Sequence, residues 1–508
     1  MQATIPSATL VGIDAIPIDV EVDLAGGIPG YHCVGLPAPS VKEGGVRIRA
    51  ALERIGQALP NQKVTINLAP ADVRKHGAAF DLPIAIAVLV AATVIDPARI
   101  NGLLMLGELG LDGSLRPVRG VLAAAMLARQ RGQRGVVVPE ACAAEAAVVS
   151  GLDVIVARDL GEVVAAAQGV APWRLAASAP MPATRASGID LADVQGQPLA
   201  RAAIEIAVAG GHNILLTGPP GIGKTMLARR VPTLLPPLPL PLALEVTKIY
   251  SAAGLSDGLA LQRPFRAPHH TISPAGLLGG GVVPRPGEIS LAHGGVLFLD
   301  ELPEFQRMAI EGLRTPLEER QVVLGRAAGV IKLPASFLLV AAANPCPCGW
   351  FGSRERMCVC GLAATERYRS RLSGPLLDRL DLHVPVRPVA LAELRSGTPG
   401  ESSAAVAARV GEARARQAAR LAPWGVATNA EMPAAAVRAT CQLDDAGERA
   451  LAQIHQARRG MSARAVDRLL RAARTIADLT GTDRIDVDCL REAASYRALD
   501  VEPAASAA

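Results

Sequence analysis

The sequence predicts an α/β core on a mostly parallel sheet, with an α+β domain before it and a small all-α lid after it. Three observations predict this order. From Asp190 to about Val384, a helix, a strand, a Gly-rich loop, a second helix and further apolar strands follow one another, as in an α/β domain. Over residues 1–170, Val64–Leu68, Leu103–Leu106, Gly135–Val138 and Val154–Ala157 read as short strands bounded by Pro, Gly or charge. Beyond residue 404 only helical patterns recur, at Ser403–Arg420, Asp445–Ala457, Ser462–Leu479 and Val487–Ala494.

Linkers separate the three parts. Residues 171–189 include Ala171–Arg185, rich in Ala, Ser and Pro without periodicity, and residues 389–404 carry Gly397, Pro399, Gly400 and Ser402. The domains are therefore residues 1–170, 190–388 and 405–500, and the tail after Val501 is expected to fray. In the first domain Ser40 and Glu43 have the spacing of a capping box, and Val46, Ile48, Leu52 and Ile55 follow at roughly helical spacing.

At 508 residues the chain exceeds a single core, and half of it is apolar, so folded domains are expected. Aromatic residues make up 3%, little material for base-stacking platforms. Lys and Arg number 52 against 47 Asp and Glu, an excess that permits nucleic-acid binding without arguing for it. Met1–Thr9 lacks the basic start and apolar core of a signal peptide. Leu82–Ile95, the most apolar stretch, falls short of the roughly 20 residues a membrane span takes and reads as a buried helix. The expected location is the cytoplasm.

Chemistry concentrates in the middle domain. Gly218-Pro219-Pro220-Gly221-Ile222-Gly223-Lys224-Thr225 meets the full phosphate-loop pattern, after the apolar strand Asn213–Thr217 and before a helix at Met226–Arg230. Glycines let the backbone turn its N–H groups toward phosphates. Lys224 is then expected to bridge the β- and γ-phosphates of ATP, and the Thr225 hydroxyl to hold Mg²⁺. Gly295–Leu299 reads as a buried strand followed by Asp300 and Glu301. Asp300 would orient Mg²⁺ and Glu301 would polarise the attacking water; the alternative is a pair of surface acids. The strand Phe337–Ala343 ends at Asn344, whose amide suits sensing of the γ-phosphate or capping of the turn before Pro345.

Together the phosphate loop, LFLDEL, AANPCPCG and SGPLLDRLDLH resemble the magnesium-chelatase-like AAA+ ATPases, and within them the ComM/YifB group, over nearly the whole chain. The resemblance implies that Asn344 is the sensor-1 residue, Arg379 the arginine finger and Arg464 the sensor-2 arginine of the lid, with Arg468 one turn away as its competitor. A salt bridge to Asp378 or Asp381 is the bland reading of Arg379. A finger supplied in trans implies a homo-oligomeric ring, hexameric in the family, in which an Arg is worth about 10³ or more in rate. Leu106–Val121 and Val136–Glu140 resemble the proteolytic domain of Lon-type proteases, a ribosomal-protein-S5-domain-2-like fold. Ala78 and Ala79 occupy the stretch where the nucleophilic Ser belongs, and Leu122 replaces the Lys, so a structural or protein-partner-binding collar is expected in place of a peptidase.

Three further features follow. Gly276–Gly287, with five glycines, occupies the place of the family's channel loop, and the preceding His269-His270 reads as structural or channel-facing, with a metal site as the alternative. After a helix expected over Glu304–Leu317, Gln321–Leu324 and Gly329–Leu333 form a hairpin. Arg326 at its tip and Lys332 on its return arm are the expected DNA-backbone contacts, unless they are solvated charges. Cys346, Cys348, Cys358 and Cys360 suit a structural Zn²⁺, with an iron–sulfur arrangement or unligated thiols as alternatives. Cys33, Cys142, Cys441 and Cys489 are isolated along the chain. The resemblance to the ComM group implies an ATP-driven ring helicase on single-stranded or branched DNA, promoting branch migration in natural transformation. Remodelling of a protein partner, as by true magnesium chelatase subunits, is the alternative.

Overall fold

Five parallel strands form the central sheet, in the order Phe265–Arg266, Val296–Leu299, Leu338–Ala343, Ile214–Thr217 and Leu382–Pro385. The computed structural model describes residues 1–177, 188–256, 258–281, 284–326, 329–353, 355–389, 400–458 and 461–497. Successive side chains of a strand face opposite sides, and here both sides are covered. Ile214, Leu216, Phe298 and Val340 pack with the helices Pro198–Gly210 and Lys224–Leu234. Leu215, Leu297, Leu299 and Leu339 face the other way, toward Ile249 of the helix Leu240–Ala253.

The lid has no core of its own. Val406 and Val410 of the helix Ser403–Leu421 and Leu469 and Ala473 of Ala463–Thr480 join the first of those clusters. The helices Asp445–Ala457 and Val487–Ser495 complete it, with a further short helix, Ala434–Thr440, that the periodicity did not reveal.

The N-terminal domain holds a four-stranded sheet in the order Gln2–Val11, Asp14–Ala25, Lys63–Ala69, Gly30–Val34 and a parallel sheet of Leu103–Met105, Gly135–Pro139 and Asp153–Ala157. The apolar stretch forms the helix Asp81–Ala91, buried along nearly all its length. Among the described residues no helix is long and apolar enough to cross a membrane. Residues 174–176 extend this domain: Val156 N–H donates to Arg174 O at 2.9 Å and Ala176 N–H to Val154 O at 2.7 Å, so the chain adds to a sheet edge inside the stretch expected to be linker. The remainder of that stretch, 178–187, and residues 390–399 of the second linker lie outside the described residues.

Two local expectations fail. Ser40 and Glu43 form no capping box. Pro39 opens a single turn, Pro39–Lys42, capped by the Ala38 backbone, and the longer helix Gly44–Arg54 starts at Glu43, whose own conformation is already helical. Val46 on that helix faces solvent at 70% exposure, while Ile48 and Leu52 are buried. The helix expected over Glu304–Leu317 is three pieces: a 3₁₀ turn Leu302–Glu304, then Arg307–Gly312 and Arg314–Glu319. Pro316 has no N–H to donate, so the ladder cannot run unbroken through it.

The N-terminal domain docks on the core through its first hairpin turn. Ile13 is buried with Ile249, Ala252 and Leu333, and Asp14 pairs with Lys248. Glu145 accepts from the Leu122 N–H at 2.6 Å and from the Ser251 hydroxyl, and burial pushes its carboxyl up.

Candidate nucleotide site

Parallel pairing aligns the strand ends. Thr217 is opposite Ala343 and Leu299 is opposite Ala341, so Gly218, Asp300 and Asn344 emerge along the same C-terminal edge of the sheet. Gly218 N–H donates to Ala343 O at 3.2 Å, closing the loop against the neighbouring strand. A Cβ on Gly218 would lie 2.5 Å from Val386 O, and Gly223 has φ +93° at the start of the helix that Lys224 begins. Glycine is demanded at both places, by space at one and by conformation at the other.

The expected side chains meet there. The Lys224 ammonium donates to Gly218 O at 2.6 Å, Pro219 O at 2.8 Å and Asn344 Oδ1 at 3.0 Å. Burial pulls its pKa down, against the nearby charges of Asp300 and Glu301. Thr225 Oγ1 donates to Asp300 Oδ2 at 2.7 Å, so the two oxygens expected around Mg²⁺ are already adjacent. The donor set, one hydroxyl and one carboxylate, is the chemistry a hard octahedral cation takes from protein beside a triphosphate. Glu301 has left-handed backbone geometry, φ +52° and ψ +46°, anchored by its own N–H on Asp300 Oδ1 at 2.9 Å. That turn projects the half-exposed Glu301 carboxylate off the strand end.

One neighbour was not foreseen. His270 Nδ1 lies 3.3 Å from Glu301 Oε2, with His269 tilted against its ring at 4.1 Å between centroids. No carboxylate is close to this His pair along the chain; only the pairing of Phe265–Arg266 with Val296–Leu299 brings the residues that follow both strands to one edge.

The arginines lie at the other end of the sheet. Arg379 precedes the strand Leu382–Pro385, and Arg379 O accepts from Asn213 Nδ2, which itself precedes Ile214–Thr217. Its guanidinium bonds Glu318 Oε1 at 2.6 Å, not Asp378 or Asp381. Arg464, 71% exposed, comes within 3.9 Å of the same Glu318 oxygen. Arg468 instead turns inward, 3.4 Å from Asp381 Oδ1, with both side chains about nine-tenths buried.

The remaining expected residues fall elsewhere. The hairpin exists as Gln321–Arg326 paired with Gly329–Pro334, and Lys332 is exposed on its return arm. The turn residues 327–328 and the Arg326 side chain lie outside the described residues. In the Gly-rich segment, Leu277 of the short helix Pro274–Leu278 is buried in the core, and Gly279–Gly280 pairs with Arg285–Pro286; residues 282–283 lie outside the described residues. In the N-terminal domain, Ala79 packs against the cluster that buries Leu122, so apolar side chains fill the place a peptidase dyad would need.

The four clustered cysteines converge: their sulfurs all lie within 4.8 Å of one another, at 3.4 Å for Cys346–Cys348 and 3.6 Å for Cys346–Cys358 and Cys348–Cys358. A tetrahedral cage of ~2.3 Å Zn–S bonds places sulfurs about 3.8 Å apart, so the set fits a soft four-coordinate cation. A backbone hydrogen bond from Trp350 leads the effects that pull the Cys348 thiol down to about 6, whereas the Cys358 thiol is pushed up to about 12 and that of Cys360 is also raised.

A cradle of backbone N–H groups, an acidic pair and an amide on one edge of a parallel sheet define an AAA+-type nucleotide-binding core. Family models described as magnesium chelatase subunit ChlI match residues 190–394 and 20–142, and that of its C-terminal part matches 400–497. The uncharacterized protein YifB of Escherichia coli is 43% identical over 499 residues, 96% of each chain. Competence protein ComM of Haemophilus influenzae is 41% identical over 509 residues, 98% of this chain and 97% of its own. Shorter matches are Lon protease 2 of Bacillus subtilis, 30% identical over 149 residues (27% of this chain, 26% of its own), and the Holliday junction branch migration complex subunit RuvB of a Mycobacterium species, 31% over 164 residues (30% and 37%). The chain belongs to the magnesium-chelatase-like AAA+ ATPases, and within them to the ComM/YifB family.

Proposed function

We propose that this chain is an ATP-hydrolysing ring motor of the cytoplasm that acts on DNA, a ComM-type helicase driving branch migration during natural transformation. The observation that carries the reading is 41% identity over nearly the full length to competence protein ComM, in a chain where Lys224 bonds Asn344 and Thr225 bonds Asp300 at one sheet edge. The partial match to a branch-migration subunit and the exposed Lys332 on its hairpin support DNA as the substrate. In this reading Gly218–Thr225 cradle ATP, Thr225 and Asp300 hold Mg²⁺, and Glu301 is the base that takes a proton from the lytic water. His270 holds that carboxylate between turnovers, and Asn344 reports the γ-phosphate to Lys224. Arg379, joined by Arg464, reaches the nucleotide of the adjacent subunit in a hexamer. The four cysteines hold a structural zinc.

Protein remodelling is the second reading, favoured by the matches to a chelatase subunit in all three domains and by a collar with apolar residues in the peptidase positions. The test is ATP turnover with forked or three-stranded DNA, with Arg326→Ala as control. Stimulation by branched DNA, reduced in the variant, supports the motor on DNA. Turnover indifferent to every DNA, with strand displacement absent, rejects it in favour of a protein substrate.

A further inference from the structure

The cysteine loop touches the nucleotide site twice. By sequence it begins two residues after Asn344, whose amide oxygen accepts from Lys224. Through space it returns to the phosphate loop itself. Gly349, buried and at φ +84°, sits so close to Pro220 that a Cβ would lie 2.5 Å from the proline Cδ and 3.2 Å from its Cγ. Pro220 stands in the middle of the cradle, so whatever fixes Gly349 fixes one wall of it.

Gly349 is fixed by the sulfurs around it. Its N–H donates to Cys346 O at 2.9 Å, forming a tight turn around Pro347 and Cys348. Cys346 Sγ accepts from the Phe351 N–H at 3.3 Å, Cys360 Sγ from the Cys348 N–H at 3.4 Å and Cys358 Sγ from the Cys360 N–H at 3.4 Å. Three sulfurs taking backbone N–H bonds around one point is the arrangement charged thiolates adopt, and thiolates this close repel unless a cation lies between them. Outside the cluster Arg369 also ties the loop, lying over the Phe351 ring at 4.7 Å and donating to Pro345 O at 3.2 Å.

We infer that the tetracysteine loop is a metal-set clamp on the phosphate loop: a soft divalent cation such as Zn²⁺, bound by Cys346, Cys348, Cys358 and Cys360, seats Gly349 against Pro220 and so raises nucleotide affinity. The inference rests on the zinc reading above and adds a consequence for a different ligand. Binding the cation releases the thiol protons and makes no covalent change to nucleotide or loop. Loss of the cation frees the sulfurs to separate, and the wall at Pro220 goes with them.

Two measurements on the full-length protein without DNA test it: bound zinc by elemental analysis, and affinity for a fluorescent ADP analogue. Wild type is expected to carry one zinc per chain. Cys358→Ser with Cys360→Ser is expected to lose the zinc and weaken nucleotide binding by about tenfold, the scale of one misfitted packing contact. Gly349→Ala, which sets a Cβ against Pro220 and strains a backbone at φ +84°, is expected to keep the zinc and weaken nucleotide binding similarly. A wild-type protein that binds no zinc, even when expressed and refolded with it, overturns the metal reading and the clamp together. Zinc present, with unchanged nucleotide affinity in the cysteine variant, overturns the clamp alone. Should the cysteine variant misfold, Gly349→Ala still decides: zinc retained with unchanged nucleotide affinity overturns the contact.

Discussion

The two ends of the central sheet carry different and separately bonded sets of side chains. At the C-terminal end Lys224, Thr225, Asp300 and Asn344 are bonded to one another or to the loop between them. At the N-terminal end Arg379 and Arg464 share Glu318, and neither contacts any of those residues. A strand of four residues at ~3.3 Å each spans more than about 10 Å, so the two groups are separated by the length of the sheet. The difference bears on the proposed ring. Arg379, about nine-tenths buried, is held by Glu318, and Arg464 stands exposed beside the same acid. If the chain assembles as proposed, this asymmetry would turn the arginine end of one subunit toward the phosphate loop of the next, and Arg379 would have to leave Glu318 to act there.

After the loss of Lys224, which should abolish turnover, the largest effect should come from Glu301, the proposed base. Glu301→Gln keeps the shape of the side chain and removes the proton acceptor, so phosphate release should fall by about 10²- to 10⁴-fold while ATP still binds. Undiminished turnover in that variant would place the base elsewhere and leave Glu301 a surface acid.

Next comes the comparison itself. Arg379→Ala should lower turnover by about 10³-fold, and Lys224→Ala should abolish it. Mixed before assembly, the two inactive proteins should regain activity, because an Arg379→Ala cradle can take its arginine from a Lys224→Ala neighbour. Mixtures as inactive as the separate proteins would mean that the arginine serves its own chain or none.

A smaller effect separates the two lid arginines. Arg468 is committed to the interior, and its removal takes one cation from Asp381, which keeps the Asn213 N–H at 3.0 Å, His212 Nδ1 at 3.7 Å and the charge of Arg497. Arg468→Ala should therefore destabilise the fold by less than the roughly 3 kcal/mol of a wholly unpaired buried charge, seen as a lower melting temperature. Arg464→Ala should leave melting unchanged and lower turnover only in assembled rings. The reverse pattern would exchange their roles.

How much of this was legible followed the distance along the chain over which each feature is built. The phosphate loop is eight consecutive residues between a strand and a helix, and Asp300, Glu301 and Asn344 directly follow apolar strands, so local pattern located all of them. Arg379 could be selected over Arg369 or Arg371 only through the family resemblance, since its position depends on which strand it precedes. His270 was out of reach: its partner Glu301 is remote in sequence, and the strand that brings them together has only two residues, Phe265–Arg266. The first hairpin, Gln2–Ala25, escaped for a different reason. Its first strand buries Ala3, Ser7, Ala8 and Thr9, too small or too polar to show alternation, whereas the second, with Ile18, Val20, Val22 and Leu24 buried between Asp19, Glu21 and Asp23, carries the plain alternation of a half-buried strand and was legible.

The smallest expected effect tests the part of the reading least dependent on the nucleotide edge. Lys332 is exposed on a hairpin whose other arm contributes buried Val322 to the core, and Leu333 beside it is buried near Ile13 of the N-terminal domain. The hairpin is thus held from two domains while this ammonium stays in solvent. A backbone-gripping lysine contributes charge and no base reading, so Lys332→Ala should weaken binding to all DNA sequences alike and reduce the slope of log affinity against log salt by about one. ATP turnover without DNA should stay at the wild-type rate, because the side chain is not among the contacts at the cradle. A variant with the wild-type salt slope removes Lys332 from the interface and leaves the hairpin's remaining charge, Arg326, to be tested in the same way.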